Sequence, residues 1–190
     1  MMMYFTRIAV FFLLSGTLLT RLEGVGGDGI ELEIDKEASS IAANVKATGH
    51  RFDAVVTDYE LDLRWDPDSR SIVGARLVFD FEDVKTGRSR RDREMREWIE
   101  HETYPGAAFV LQAIEEEAGG LVARGLFSMH RTEREIEFPV TVDEFNGTLR
   151  IRAETVLDHR DWELEEIRAF LFMTVDPELE IKIDILARLP

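Results

Sequence analysis

From Gly29 onward apolar and charged residues alternate with a period of two, and this rhythm restricts the fold more than any other feature. IELEID sets Ile30, Leu32 and Ile34 against Glu31, Glu33 and Asp35, and TDYELDLRW sets Tyr59, Leu61, Leu63 and Trp65 against Asp58, Glu60, Asp62 and Arg64. The same alternation places Val73, Ala75, Leu77, Phe79 and Phe81 on one face, then Ile136, Phe138, Val140 and Val142, then Leu179, Ile181, Ile183 and Ile185. Successive side chains of a strand point to opposite faces, so each segment has one dry and one wet side. Parallel sheets are covered on both faces and read as continuous apolar runs, so the strands here are antiparallel. Eight or nine of them do not fit in one open sheet, and closure removes the exposed edges. The expected fold is all-β: an antiparallel eight-stranded barrel with one or two short helices capping it.

Turn signals separate the strands. DPDSR (66 to 70) and EEEAGG (115 to 120) read as hairpin loops, and Asn146-Gly147 is the pair favoured in a two-residue type I′ turn. Residues 90 to 101 break the rhythm: Met95, Trp98 and Ile99 fall at i, i+3 and i+4, the spacing of a short amphipathic helix. Pro105 forces Tyr104 out of helical geometry and opens the next strand, AAFVLQAIE.

Ahead of the barrel, Arg7 precedes an apolar run from Ile8 to Leu19. A bilayer span takes roughly 20 residues, so this run fits the core of a secretory signal better. Residues 1–24 are read as a signal peptide or, if uncleaved, an N-terminal membrane anchor, and residues 29–190 as one barrel domain that is periplasmic or secreted. No cysteine is present, which excludes disulfides, thiolate nucleophiles and zinc–cysteine sites. The net charge of −15, from 38 acidic and 23 basic residues, argues against nucleic acid and bare anionic membrane as partners, because either is repelled at long range.

Several segments carry a resemblance to a known family. Arg91 and Asp92 before a short helix, Met95 within it, then Tyr104-Pro105 and a strand with Phe109, together resemble the core pattern of the YceI-like family of exported, lipocalin-like, polyisoprenoid-binding barrels. GLFSMHRTEREIEFPV is similar to a second family segment through Gly125, Phe127, His130, Thr132 and Arg134. SSIAANVKATGHRF resembles the family's opening strand, with Gly49 and His50, and DHRDW (158 to 162) resembles a segment of the same branch. Two positions depart from the pattern: Arg131 follows His130 where the family has Gly, and Phe52 stands where the branch often has a second His. The resemblance spans about Ile30 to Leu189.

It implies a barrel whose apolar lumen takes an isoprenoid tail, such as a polyprenyl phosphate or a quinone. The residues offered for that lumen are Phe79, Phe81, Phe109, Phe127, Phe138 and Phe170 on dry faces, with Met95 and Trp98 closing one end. The alternative is a solid barrel whose rings interdigitate, serving as an acidic interaction or stress-response module.

Catalytic chemistry finds little support. His50, His101, His130 and His159 lie far apart, with no pair at metal-ligand spacing, so no metal site is expected. His50, next to Gly49, and His130, within a turn, are expected to bond backbone carbonyls. The HRD at 159 to 161 lacks the rest of a kinase catalytic loop, and no Gly-x-Ser-x-Gly, P-loop or dinucleotide fingerprint occurs. The expectation is a binding protein without enzymatic activity or cofactor.

Overall fold

The computed structural model describes residues 29–165, 168–169 and 173–190; the segment 1–24 and Phe170 lie outside these described residues. In chain order the strands are β1 (Ile30–Glu31), β2 (Glu33–Ile34), β3 (Ser40–Ala47), β4 (His50–Val56), β5 (Glu60–Asp66), β6 (Ser71–Asp80) and β7 (Val84–Lys85). After the helix α1 (Ser89–Trp98) come β8 (Gly106–Glu117), β9 (Gly120–Met129), β10 (Thr132–Phe145), β11 (Thr148–Asp158), β12 (Arg168–Ala169) and β13 (Met173–Arg188). Nine of these strands have seven residues or more, one more than the eight expected, and the other four have two. Every pairing is antiparallel, as the alternation requires.

The sheet runs β1-β5-β6-β8-β9-β10-β11-β13-β3-β4-β7 and curls into a barrel. Among the described residues no ladder joins β4 to β5; short strands cover the seam instead. Residues 30–34 strap β5 to the end of β13, with Ile30 opposite Trp65 and Ile34 opposite Ala187. Lys85 and Val84 pair with Val55 and Val56 at the other edge.

The loops β5–β6, β8–β9 and β10–β11 lie at one end of the barrel, where the Leu189 N–H also reaches the Gly147 carbonyl at 2.9 Å, and the two-residue turns β3–β4 and β9–β10 lie at the other. Asn146 and Gly147 have φ of 50° and 76°, both left-handed as a type I′ turn needs. We call this the hairpin end and the opposite one, which carries α1, the helix end.

One expectation about β6 fails. Arg64 pairs with Gly74 but Trp65 pairs with Ile72, so a bulge slips the strand by one residue. Ile72, buried, takes the inward place assigned to Val73, which is only half-buried. The strand also stops before Phe81, which begins a 3-10 turn, Phe81–Asp83, capped by the Asp80 carboxylate accepting from Glu82 N–H at 2.6 Å.

Helix α1 ends in a left-handed residue, Glu100 at φ 54°, while His101 N–H bonds back to the Arg96 carbonyl at 3.0 Å and Glu100 N–H to Glu97 at 3.2 Å. This is a Schellman stop with glutamate where glycine is commonest. Ile99, at 1% exposure, pins that end to the core.

Candidate functional site

The strand registers decide which side chains face inward. At the hairpin end inward residues are sealed: Leu149 and Ala187 are 0% exposed, and Ile185, Leu63 and Trp65 are buried around them. Toward the helix end the packing loosens. Phe52 on β4, Leu61 on β5, Phe79 on β6, Phe109 on β8, Phe127 on β9 and Ile136 on β10 face inward yet are only partly buried. Leu157 on β11 and Ile183 on β13 carry the ring around the remaining wall. An inward side chain keeps exposed surface where solvent reaches it through the barrel mouth or the β4–β5 seam, or where the close packing of a core gives way beside it. The helix half of the interior is therefore the less completely buried half, and its side chains are apolar.

Of the residues offered for the lumen, Phe79, Phe109 and Phe127 belong to this ring. Phe138 is buried and stacks obliquely on Phe109, with centroids 5.6 Å apart. Phe81 is also buried, edge-on to Phe79 at 5.7 Å. Met95 and Trp98 are half-buried on α1 and pack against the core. Phe52, Leu61, Ile136 and Leu157 were not singled out from sequence. Leu61 and Ile136 stood on dry faces there, but nothing in the alternation separates a lumen position from a sealed one.

Gly125 fixes the floor of the ring. A Cβ placed there lies 2.5 Å from the Phe109 ring and 2.5 Å from the Val110 carbonyl, so only glycine lets Phe109 lie against β9.

Polar anchors hold the cap. The Trp98 indole N–H donates to the Glu165 carbonyl at 2.9 Å, and its ring meets His159 edge-on at 5.0 Å. Trp162, 1% exposed, donates to the Phe127 carbonyl at 3.1 Å and meets the Phe127 ring at 5.4 Å. It ties the 3-10 turn His159–Trp162 to β9. His130, at φ 55° in the β9–β10 turn, packs against Tyr104 with the rings tilted by 60° and centroids 4.4 Å apart, and has its Nδ1 3.3 Å from the Trp162 carbonyl, as its turn position suggested. His101 pairs with Asp80 at 2.7 Å, whereas His50 stacks on Phe52 and, among the described residues, makes no bond to a backbone carbonyl.

The Arg-Asp pair docks α1 onto the rim. Asp92 is buried and accepts from the Thr86 N–H at 2.9 Å and the Thr86 hydroxyl at 2.5 Å. Burial, the largest single influence, raises its carboxyl, but the two Thr86 bonds together with the Lys85 and Arg96 charges outweigh it and hold it below the ordinary value. Arg91 donates to the Thr86 carbonyl at 2.6 Å and lies over the Phe52 ring at 3.6 Å. The arrangement offers a partly buried apolar surface with a cation at its edge and no nucleophile–base pair beside it among the described residues.

Solved structures share this fold. BcnA of Burkholderia cenocepacia superposes with a TM-score of 0.72 at 20% identity, covering 82% of this chain and 99% of that one. A polyisoprenoid binding domain from Saccharophagus degradans gives 0.64 at 14% identity, covering 85% and 99%. The Campylobacter jejuni YceI protein gives 0.61 at 15% identity, covering 94% and 99%. None of the curated proteins matches the chain in sequence. The YceI-like domain model matches residues 32–187, nearly all of the barrel, and by that match the chain belongs to the YceI-like family.

Proposed function

We propose that the barrel binds an apolar lipid of the isoprenoid type, with the tail in an open lumen at the helix end, as an exported carrier or sequestering protein without enzymatic activity. The observation that carries this reading is the ring of inward, partly buried apolar side chains from Phe52 to Ile183. Apolar walls with few polar groups suit a chain-like hydrocarbon, whose burial is favourable by about 0.8 kcal/mol per CH₂. The likeness to a polyisoprenoid binding domain supports the choice of lipid class. Export rests on the apolar run Ile8 to Leu19 behind Arg7.

Organic extraction of the purified full-length protein followed by mass spectrometry tests the reading. A prenyl lipid recovered in stoichiometric amount is the expected result. Protein that is consistently lipid-free after expression in a quinone-rich host overturns it.

A further inference from the structure

On the outer wall of the barrel several cations are paired within the chain: Arg124 with Glu115, Glu117 and Glu137, Arg150 with Asp184, Arg152 with Asp143, and Lys46 and Arg51 with Glu180. One stretch across β6, β8 and β9 differs. Leu77, Phe109 and Phe127 face inward there, so the alternation turns Val78, Ala108, Val110 and Leu126 outward, and all four keep part of their surface. Val78 stands beside Ala108, and Val110 beside Leu126, so the four are contiguous. The row that crosses them reads Arg76, Val110, Leu126, Glu135 on β6, β8, β9 and β10. Arg76 and Glu135 are exposed, and among the described residues neither has an ion-pair partner, although Asp62 stands opposite Arg76 on β5. Neighbouring strands lie about 4.8 Å apart, so the two charges flank the midline between β8 and β9 at about 7 Å on either side.

That spacing makes the row its own complement. A two-fold axis laid along the midline, in front of the wall, brings Arg76 of one copy over Glu135 of the other and Val110 over Leu126, each contact occurring twice. Facing sheets pack about 10 Å apart, a gap that an arginine and a glutamate reaching toward each other can bridge. The adjoining rows tolerate the same axis. Ala108 meets Ser128, whose hydroxyl donates to the Glu133 carboxylate at 2.8 Å and draws it back along its own wall, and Ala113 meets Arg124, which its three carboxylates hold in place. We propose that this wall is the interface of a weak two-fold dimer of the chain, with the Val110–Leu126 contact at its centre and an Arg76–Glu135 pair on each side. A net charge of −15 repels a second copy in most orientations, and this orientation offsets the repulsion by giving both exposed cations a carboxylate while covering apolar surface. The patch is small, so the dimer belongs to the transient class. Its axis runs along the strands, so both helix ends point the same way, and the proposal does not depend on the lumen reading.

Sedimentation velocity on the full-length protein, from micromolar to near-millimolar concentration at physiological salt, tests it. A monomer–dimer equilibrium is the expected result. Arg76→Glu or Glu135→Arg alone should each weaken it by about tenfold to a hundredfold, since the symmetry makes every reversal act twice. Mixing the two single variants should restore the affinity of the unaltered protein, because each copy then supplies the charge that the other needs, and the double variant Arg76→Glu/Glu135→Arg should restore it as well. Leu126→Lys should abolish association, and mixing with either charge variant should not recover it. A monomer at every concentration overturns the proposal and does so without any variant. An association that Arg76→Glu and Glu135→Arg leave unchanged, or that their mixture fails to restore, overturns it too, because the contact then lies elsewhere on the chain.

Discussion

Leu149 and Leu157 stand on the same strand, β11, and face the same interior, yet Leu149 is 0% exposed and Leu157 only partly buried. Their partners on β13 repeat the contrast: Ala187 opposite Leu149 is 0% exposed, and Leu179 opposite Leu157 is partly buried. The binary pattern is identical at the two ends, so patterning does not set packing density. Closure does. At the hairpin end the strap of residues 30–34 and the C-terminal end of β13 draw the walls together, whereas at the helix end α1 and the turn at Trp162 span the opening from above.

This contrast can be broken by making the same change at both ends. Leu149→Ala should cost about 2–5 kcal/mol in urea or thermal unfolding, the range for a sealed core leucine. Leu157→Ala should cost less than half as much, because its side chain has surface left to lose from no contact. Equal losses would mean that both halves are packed alike. The reverse substitution adds a second test: Leu149→Phe should destabilise by about 1–3 kcal/mol through overpacking, and Leu157→Phe by less than about 1 kcal/mol, as the proposed open lumen would accept the ring.

The cap itself is open to a comparable test. Asp92→Ala leaves the Thr86 N–H and hydroxyl without their acceptor, at about 1–3 kcal/mol, and should speed hydrogen exchange in α1 more than in β11. Uniform acceleration across both would show that the cap and barrel unfold as one unit.

The smallest expected effect is at the base of the 3-10 turn. Hydrogen bonding to Arg160 holds the Asp158 carboxyl down at about 2, against an ordinary value of about 3.9. A carboxyl depressed in the folded state contributes stability above its unfolded value, and that contribution disappears as pH falls from about 4 through about 2. Arg160 is half exposed, so solvent screening keeps the gain small. The melting-temperature difference between the protein and Asp158→Asn should therefore shrink to nothing by about pH 2; a constant difference would show that the pair carries none of it.

Much of the architecture was legible because strand alternation and turn chemistry are local. The Asn146-Gly147 turn, the loop at 66–70, the helix around Met95 and Trp98, and the strand start after Pro105 all follow from neighbouring residues, while of the loop expected at 115–120 Glu115 to Glu117 extend β8 and only the last residues turn. The bulge that swaps Val73 for Ile72 was hidden, since a register shift depends on the partner strand. The site was legible in composition and hidden in position. Phe79, Phe109 and Phe127 were recognisable as dry-face aromatics, but a dry face reads the same whether it meets other side chains or an empty lumen. Phe52 looked like a missing histidine and proves to be the ring under Arg91. Trp162, in a segment with no periodicity, gave no sign that it would brace the cap against β9.

The proposed function requires an interior between Phe52, Phe109 and Phe127 open enough to take a prenyl tail. A crystal structure of the protein grown with farnesyl monophosphate tests it most directly. Continuous density for the chain inside that ring is the expected result; rings closed against one another, with the lipid absent or bound on the outer wall, would contradict it.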